Sequence, residues 1–228
     1  KKNNIEPDGY IEVPKLFFKN IDFLKTYSAP IIQINTNNNA INTEEYSHSI
    51  CRTITDFSET KHLTKIKIRG NTSAKFPKKQ FNIIFNESSV FGGQKLKKNI
   101  LNSSFIDKSL LRNKVSQELF SLFKGQKSNA DYVHLIINDM YEGLYLLCEH
   151  PEEKFKAFSN KTGLNFLLEI DRGPYDFLGK QLNEVYARAG YNLKIPTNVT
   201  KGGAGEIKKQ IEALERTLIN QDLSLIDI

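Results

Sequence analysis

The chain has 228 residues, 39% hydrophobic and 11% aromatic, with a quarter charged and a net charge of +6. That composition is globular and long enough for one large or two small domains with a buried core, and it excludes a disordered chain. No run approaches the roughly 20 apolar residues of a membrane-spanning helix, and two cysteines, Cys51 and Cys148, are too few for a disulfide framework or a zinc site.

The opening Lys1-Lys2-Asn3-Asn4 is not followed by an apolar stretch of signal-peptide type. Residues 1–28 read as a lead-in segment and 29–228 as one domain. Pro30 to Asn35 reads as a strand ended by the polar run Thr36-Asn37-Asn38-Asn39. Further strand and loop follow over 41–60. Leu63 to Ile68 alternates, with Ile66 and Ile68 on one face and Lys65, Lys67 and Arg69 on the other. Gly70-Asn71-Thr72-Ser73 breaks that strand. The next places Lys79, Phe81, Ile83 and Phe85 together, with Lys78, Gln80 and Asn82 opposite, and Gly92 to Lys98 reads as a polar loop.

A helix is predicted from Asp107, a good N-cap, with Leu111, Val115 and Leu119 as an apolar stripe and Gly125 to stop it. A hairpin follows, Tyr132–Ile137 and Leu144–Cys148, turning around Asn138–Gly143. Both strands are almost continuously apolar, as in a sheet covered on both faces. Pro151 opens a short helix, Phe166–Ile170 is a strand and Leu193–Pro196 a short edge strand. The last helix starts near Gly205 and carries Ile207, Ile211, Leu214 and Leu218. The expected class is α+β, a mainly antiparallel sheet packed by a few helices.

Lys65, Lys67 and Arg69 put three cations on one strand face about 6.6–7 Å apart, beside a turn rich in amides and hydroxyls. Such a surface suits phosphate oxygens, and equally an ordinary solvated strand. The spacing is not that of a phosphate-binding P-loop. Arg112 could aim at a bound anion or pair with Asp107 or Asp131. Glu149, leaving the hairpin, and Glu169 and Asp171 could hold metal, ribose or a buried cation, or mark strand exits. The four histidines show no metal-ligand spacing, so no metal site is expected. Phe81 shares a face with Ile83 and Phe85, which favours core packing over base stacking, so nucleic acid is not an expected partner.

Five motifs in register then resemble the CotH (spore coat protein H) kinase family. They are Arg69-Gly70-Asn71-Thr72-Ser73, Pro77-Lys78-Lys79, Asp107-Lys108-Ser109-Leu110-Leu111-Arg112-Asn113, Asn138 to Tyr145 with Glu149, and Leu168-Glu169-Ile170-Asp171. Asp139 stands where glycine is usual. The resemblance implies an atypical protein-kinase-like N-terminal portion, ATP and Mg²⁺ as cofactors, and transfer to Ser or Thr of an extracytoplasmic or spore-surface protein. On it, Arg69 and Lys79, with Lys78 as the alternate, would hold phosphates. Glu149 would sit near the adenosine or pair with the phosphate-binding lysine, and Arg112 is a further candidate. The family's catalytic and metal-binding Asp and Asn residues would follow Ile228, so these 228 residues alone are expected to be inactive. The competing expectation is a non-catalytic surface or adhesion module.

Overall fold

The computed structural model describes residues 16–17, 29–124, 130–156, 166–171, 190–195 and 201–220. The chain divides into two compact units, residues 1–150 and 151–228. In the first, strands run over Leu16–Phe17 (β1), Ile31–Asn35 (β2), Ser47–Ile54 (β3), Glu59–Arg69 (β4), Gln80–Phe91 (β5), Gln94–Asn102 (β6), Ala130–Ile137 (β7) and Met140–Glu149 (β8). One helix, Arg112–Lys124 (α1), stands between β6 and β7.

Strands β2 to β8 close on themselves. Antiparallel pairing links β2, β3, β4, β5 and β6 in order, then β6 to β8 and β8 to β7. The parallel pair of β2 with β7 completes a seven-stranded barrel, and β1 adds a short antiparallel pairing to β8 at Tyr141 and Met140. Closure leaves no unpaired edge along the ring. A register shift between Ile84 and Ser89, where β5 carries more residues than β6, bends the sheet.

The α+β expectation is therefore corrected: among the described residues the protein is mostly β, with a closed barrel and few helices, and not the helix-packed, kinase-like arrangement that the resemblance implies. The physical reason lies in the apolar runs of β7 and β8. Their inward residues Val133, Leu135, Ile137, Tyr145 and Leu147 meet Ile32, Ile34, Ile66, Phe81, Ile83, Phe85 and Leu101 across the barrel lumen. Other strands, not helices, cover that face. Outward residues of the same two strands make two further apolar groups, Ile136 with Ile31 and Ile54, and Leu146 and Cys148 with Ile100 and Ala130. Cys51 lies in the lumen, where burial pushes its thiol up to about 12.

Local chemistry sets the ends of the elements. Asn138 and Asp139 both take positive φ, the conformation of a two-residue hairpin turn matched to strand twist. Gly92 and Gly93 make a second tight turn, so Lys95 to Lys98, expected in a loop, belong to β6. Leu110 takes φ +61 and delays α1 to Arg112. Asp107 still caps it from outside: Oδ2 accepts the Arg112 N–H at 2.9 Å and Oδ1 the Ser109 hydroxyl at 2.6 Å. These bonds, the hydroxyl's first, hold the Asp107 carboxyl below its ordinary range. Lys114 turns α1 toward β7, donating to the Ala130 carbonyl and lying 3.5 Å from Asp131. The stripe of Leu111, Val115 and Leu119, expected to be buried, is about half exposed.

In the second unit, Leu167–Asp171 (β9) pairs antiparallel with Gly190–Ile195 (β10). Pro151–Lys156 (α2) and Lys201–Asn220 (α3) are its helices. The last helix starts four residues before the expected Gly205, and Ile207 and Ile211 are buried. The side chains of Leu214 and Leu218, Gly125, and most of the 1–28 lead-in lie outside the described residues. No helix among the described residues is long and apolar enough to cross a membrane.

Candidate functional site

Strand directions sort the candidate residues between the two ends of the barrel. The loop from Gly70 to Lys79 joins β4 to β5 at one end, where β8 also begins. Gly70 sits at φ +101, and an added Cβ would lie 2.0 Å from the Ser73 Oγ, so the close turn requires glycine. A single 3-10 turn, Ser73–Lys75, follows and delivers Pro77, Lys78 and Lys79 to the mouth of the barrel.

Lys78 reaches across this mouth. Its ammonium donates to the Leu144 carbonyl at 2.6 Å and lies 4.5 Å from the centroid of the Tyr145 ring. A bulge makes the place for it. The register passes from Leu135 opposite Gly143 to Ile136 opposite Tyr141, which leaves Glu142 as the extra residue and bends β8. Gly143 takes φ +101, and a Cβ there would sit 3.5 Å from the Lys78 Nζ. The ammonium is thus held between a carbonyl, an aromatic face and a glycine. Burial lowers its pKa to about 8, and the Glu142 carboxylate partly offsets this.

Lys79 is spent differently. Its ammonium donates to the Ala74 carbonyl at 2.9 Å and steadies the turn, while its own carbonyl accepts from the Tyr145 hydroxyl at 2.9 Å. Arg69, last in β4, is opposite Gln80 in the register. The alternation that buries Ile66 sends Arg69 to the outer face. Arg69, Lys78 and Lys79 therefore share one end of the barrel, but Arg69 points away from the mouth that Lys78 covers.

The remaining candidates lie elsewhere. Glu149 ends β8, opposite Asn99, five residues beyond Leu144 and so about 17 Å along the strand from the Lys78 site. Arg112 opens α1 with its side chain 84% exposed and its Nε 3.8 Å from Asp107, the local ion pair. Sequence reasoning missed Glu142, Gly143 and the Tyr145 ring as surroundings of the lysine. Gly143 was visible within the Asn138–Tyr145 motif, but nothing local says that a bulge would turn it toward residue 78. Among the described residues, no three His, Cys, Asp or Glu side chains gather as metal ligands.

These motifs belong to a recognised pattern. The family model described as "CotH kinase protein" matches residues 66–224, from within β4 to just past the end of α3. The chain belongs to the CotH family. A curated relative, the inner spore coat protein H of Bacillus subtilis (strain 168), is 33% identical over 92 residues, 40% of this chain and 25% of the relative. The CotH chain thus spans about a quarter of the length of that relative. The matched region contains the whole β4–β5 loop and the β8 bulge, so both halves of the Lys78 site fall inside the CotH pattern.

Proposed function

We propose that this CotH chain supplies a nucleotide-phosphate contact of a protein kinase that acts on Ser or Thr residues at the spore surface. One observation carries the reading. Lys78 keeps a partly desolvated ammonium at the barrel mouth, held by a carbonyl and an aromatic face that phosphate oxygens would outcompete electrostatically. The donor set is cationic and fits the anionic phosphates of ATP. It does not fit Mg²⁺, whose carboxylate ligands are not gathered among the described residues. ATP would bring the transferable γ-phosphoryl group, and phosphoryl transfer depends on positioning and charge neutralisation. Lys78 would bind and orient a phosphate, Lys79 would hold the 74–79 turn that presents it, and Gly143 would allow the positive-φ bend of the bulge beside it. The family match and the relative's name support the phosphotransfer and spore-surface parts of this reading.

Calorimetric titration of the natural protein with ATP and Mg²⁺ tests it. Lys78→Ala is expected to weaken nucleotide binding at least roughly tenfold, about 1.4 kcal/mol, and Lys79→Ala to weaken it less. Unchanged affinity in Lys78→Ala would overturn the assignment. The second reading, a non-catalytic coat module, is favoured by the relative's printed role as a coat protein. It would be supported if ATP neither bound nor changed the melting temperature.

A further inference from the structure

The outer face of β4 carries Lys61, Leu63, Lys65, Lys67 and Arg69 in strict alternation, each about 6.8 Å from the next. The register sets one cation against another: Arg52 of β3 lies opposite Lys61, with the His48 imidazole opposite Lys65. Like charges directly across a strand pair destabilise it. Arg52 is neutralised by Glu59, with Nε to Oε1 at 2.8 Å, and Lys67 lies over the Tyr46 ring at 5.0 Å. Lys61 and Lys65 form no ion pair among the described residues. Between them Leu63 is 62% exposed. Beside them, opposite Lys67, the Asn82 Oδ1 is buried without a hydrogen-bond partner. Lys61 and Lys65 thus flank an exposed apolar side chain on the outside of the barrel with no carboxylate to balance them among the described residues.

We propose that this face of β4 docks an extended acidic segment of a protein partner, with Lys61, Lys65 and Lys67 taking its carboxylates and Leu63 an apolar side chain. An extended polypeptide projects every second side chain to one side with the same two-residue repeat as β4, so acidic residues at alternate positions match the row one to one. Phe81 and Phe85 of the neighbouring strand face the lumen, and the Tyr46 ring is already covered by the Lys67 ammonium, which disfavours stacked bases. This surface is separate from the Lys78 mouth, and its test does not depend on nucleotide binding.

Fluorescence anisotropy of the 228-residue chain with a labelled peptide bearing Glu at alternate positions around one Leu tests the assignment. Binding is expected, weakening as salt rises from ~50 to ~200 mM. Lys61→Glu/Lys65→Glu should reduce affinity roughly tenfold or more. Lys95→Glu/Lys108→Glu, the same change in net charge elsewhere, should leave it within about twofold. The acidic variant should melt no lower than wild type, because it removes the like-charge opposition of Lys61 and Arg52. If it fails to fold, Lys61→Gln/Lys65→Gln serves with the same expected direction. No binding at low salt would overturn the proposal, as would equal losses in both charge-reversal variants. Tighter binding of a single-stranded oligonucleotide of equal charge would also overturn it.

Discussion

Lys78 and Lys79 are chemically identical neighbours that the fold treats in opposite ways. Alternation along the following strand assigned Lys79 to the face of Phe81 and Ile83 and made it the favoured phosphate ligand. Alternation does not govern either residue, because β5 begins at Gln80 and both lysines belong to the preceding loop. There the 3-10 turn offers Lys79 the Ala74 carbonyl, and the β8 bulge offers Lys78 the Leu144 carbonyl. Burial has a testable consequence for Lys78. Its folded pKa of about 8 lies below the ordinary 10.5, so between those values the folded state holds fewer protons than the unfolded one. Stability should therefore rise as pH increases from about 8 to about 10.5, the burial penalty being in full force below that window. Lys78→Met should remove this rise, as read from denaturant midpoints across the window. An identical pH dependence in both proteins would contradict the burial of this ammonium. Nucleotide affinity, if carried by the charged form, should decline over the same range.

Most strands could be read from the chain because their residues alternate or run apolar for several positions. Those from Ile31, Leu63, Phe81, Tyr132 and Leu144 all appear near their expected places. The exceptions have local physical causes. Lys95 to Lys98 look like a loop, yet two glycines at positive φ fold them back as β6. Leu110 at positive φ delays α1, and Lys114 then sets which side of the helix meets β7, leaving the apolar stripe half exposed. The β7–β8 turn is the most legible element, since Asn138 begins it and Asp139 departs from the glycine expected next. Asp139 sits at φ +64, where a non-glycine side chain is strained. Asp139→Gly should therefore stabilise the protein by roughly 0.5 kcal/mol. That gain is net of losing the exposed 3.3 Å bond from Gln33. A fall in the urea midpoint would show that this bond outweighs the strain.

The barrel is held shut by the parallel contact of β2 with β7, two strands separated by about a hundred residues of chain. Asn138 secures the open end of that seam. Its Oδ1 accepts the Thr36 N–H at 2.9 Å, its Nδ2 donates to the Thr36 Oγ1 at 2.9 Å, and its own N–H donates to the Ile34 carbonyl. Asn138→Ala removes both side-chain bonds and puts a less tolerant residue at φ +47. A loss of about 2–3 kcal/mol is expected. Amide exchange should accelerate first in β2, and protection of β2 equal to wild type would show that the seam does not depend on this residue. The same closure separates the functional candidates. Glu149 follows the Lys78 site within one strand, but the strand crosses the barrel and carries Glu149 to the far end.

Composition, strand periodicity, turn residues and the five ordered motifs determined the CotH relationship and most element positions, because each depends on neighbours in the chain. Whether the sheet would close, which lysine would be desolvated and which cations would be opposed across strands was decided only in three dimensions. Those outcomes rest on pairings between distant segments and on a single extra residue at Glu142, whose effect is geometric and leaves no periodic trace in the sequence.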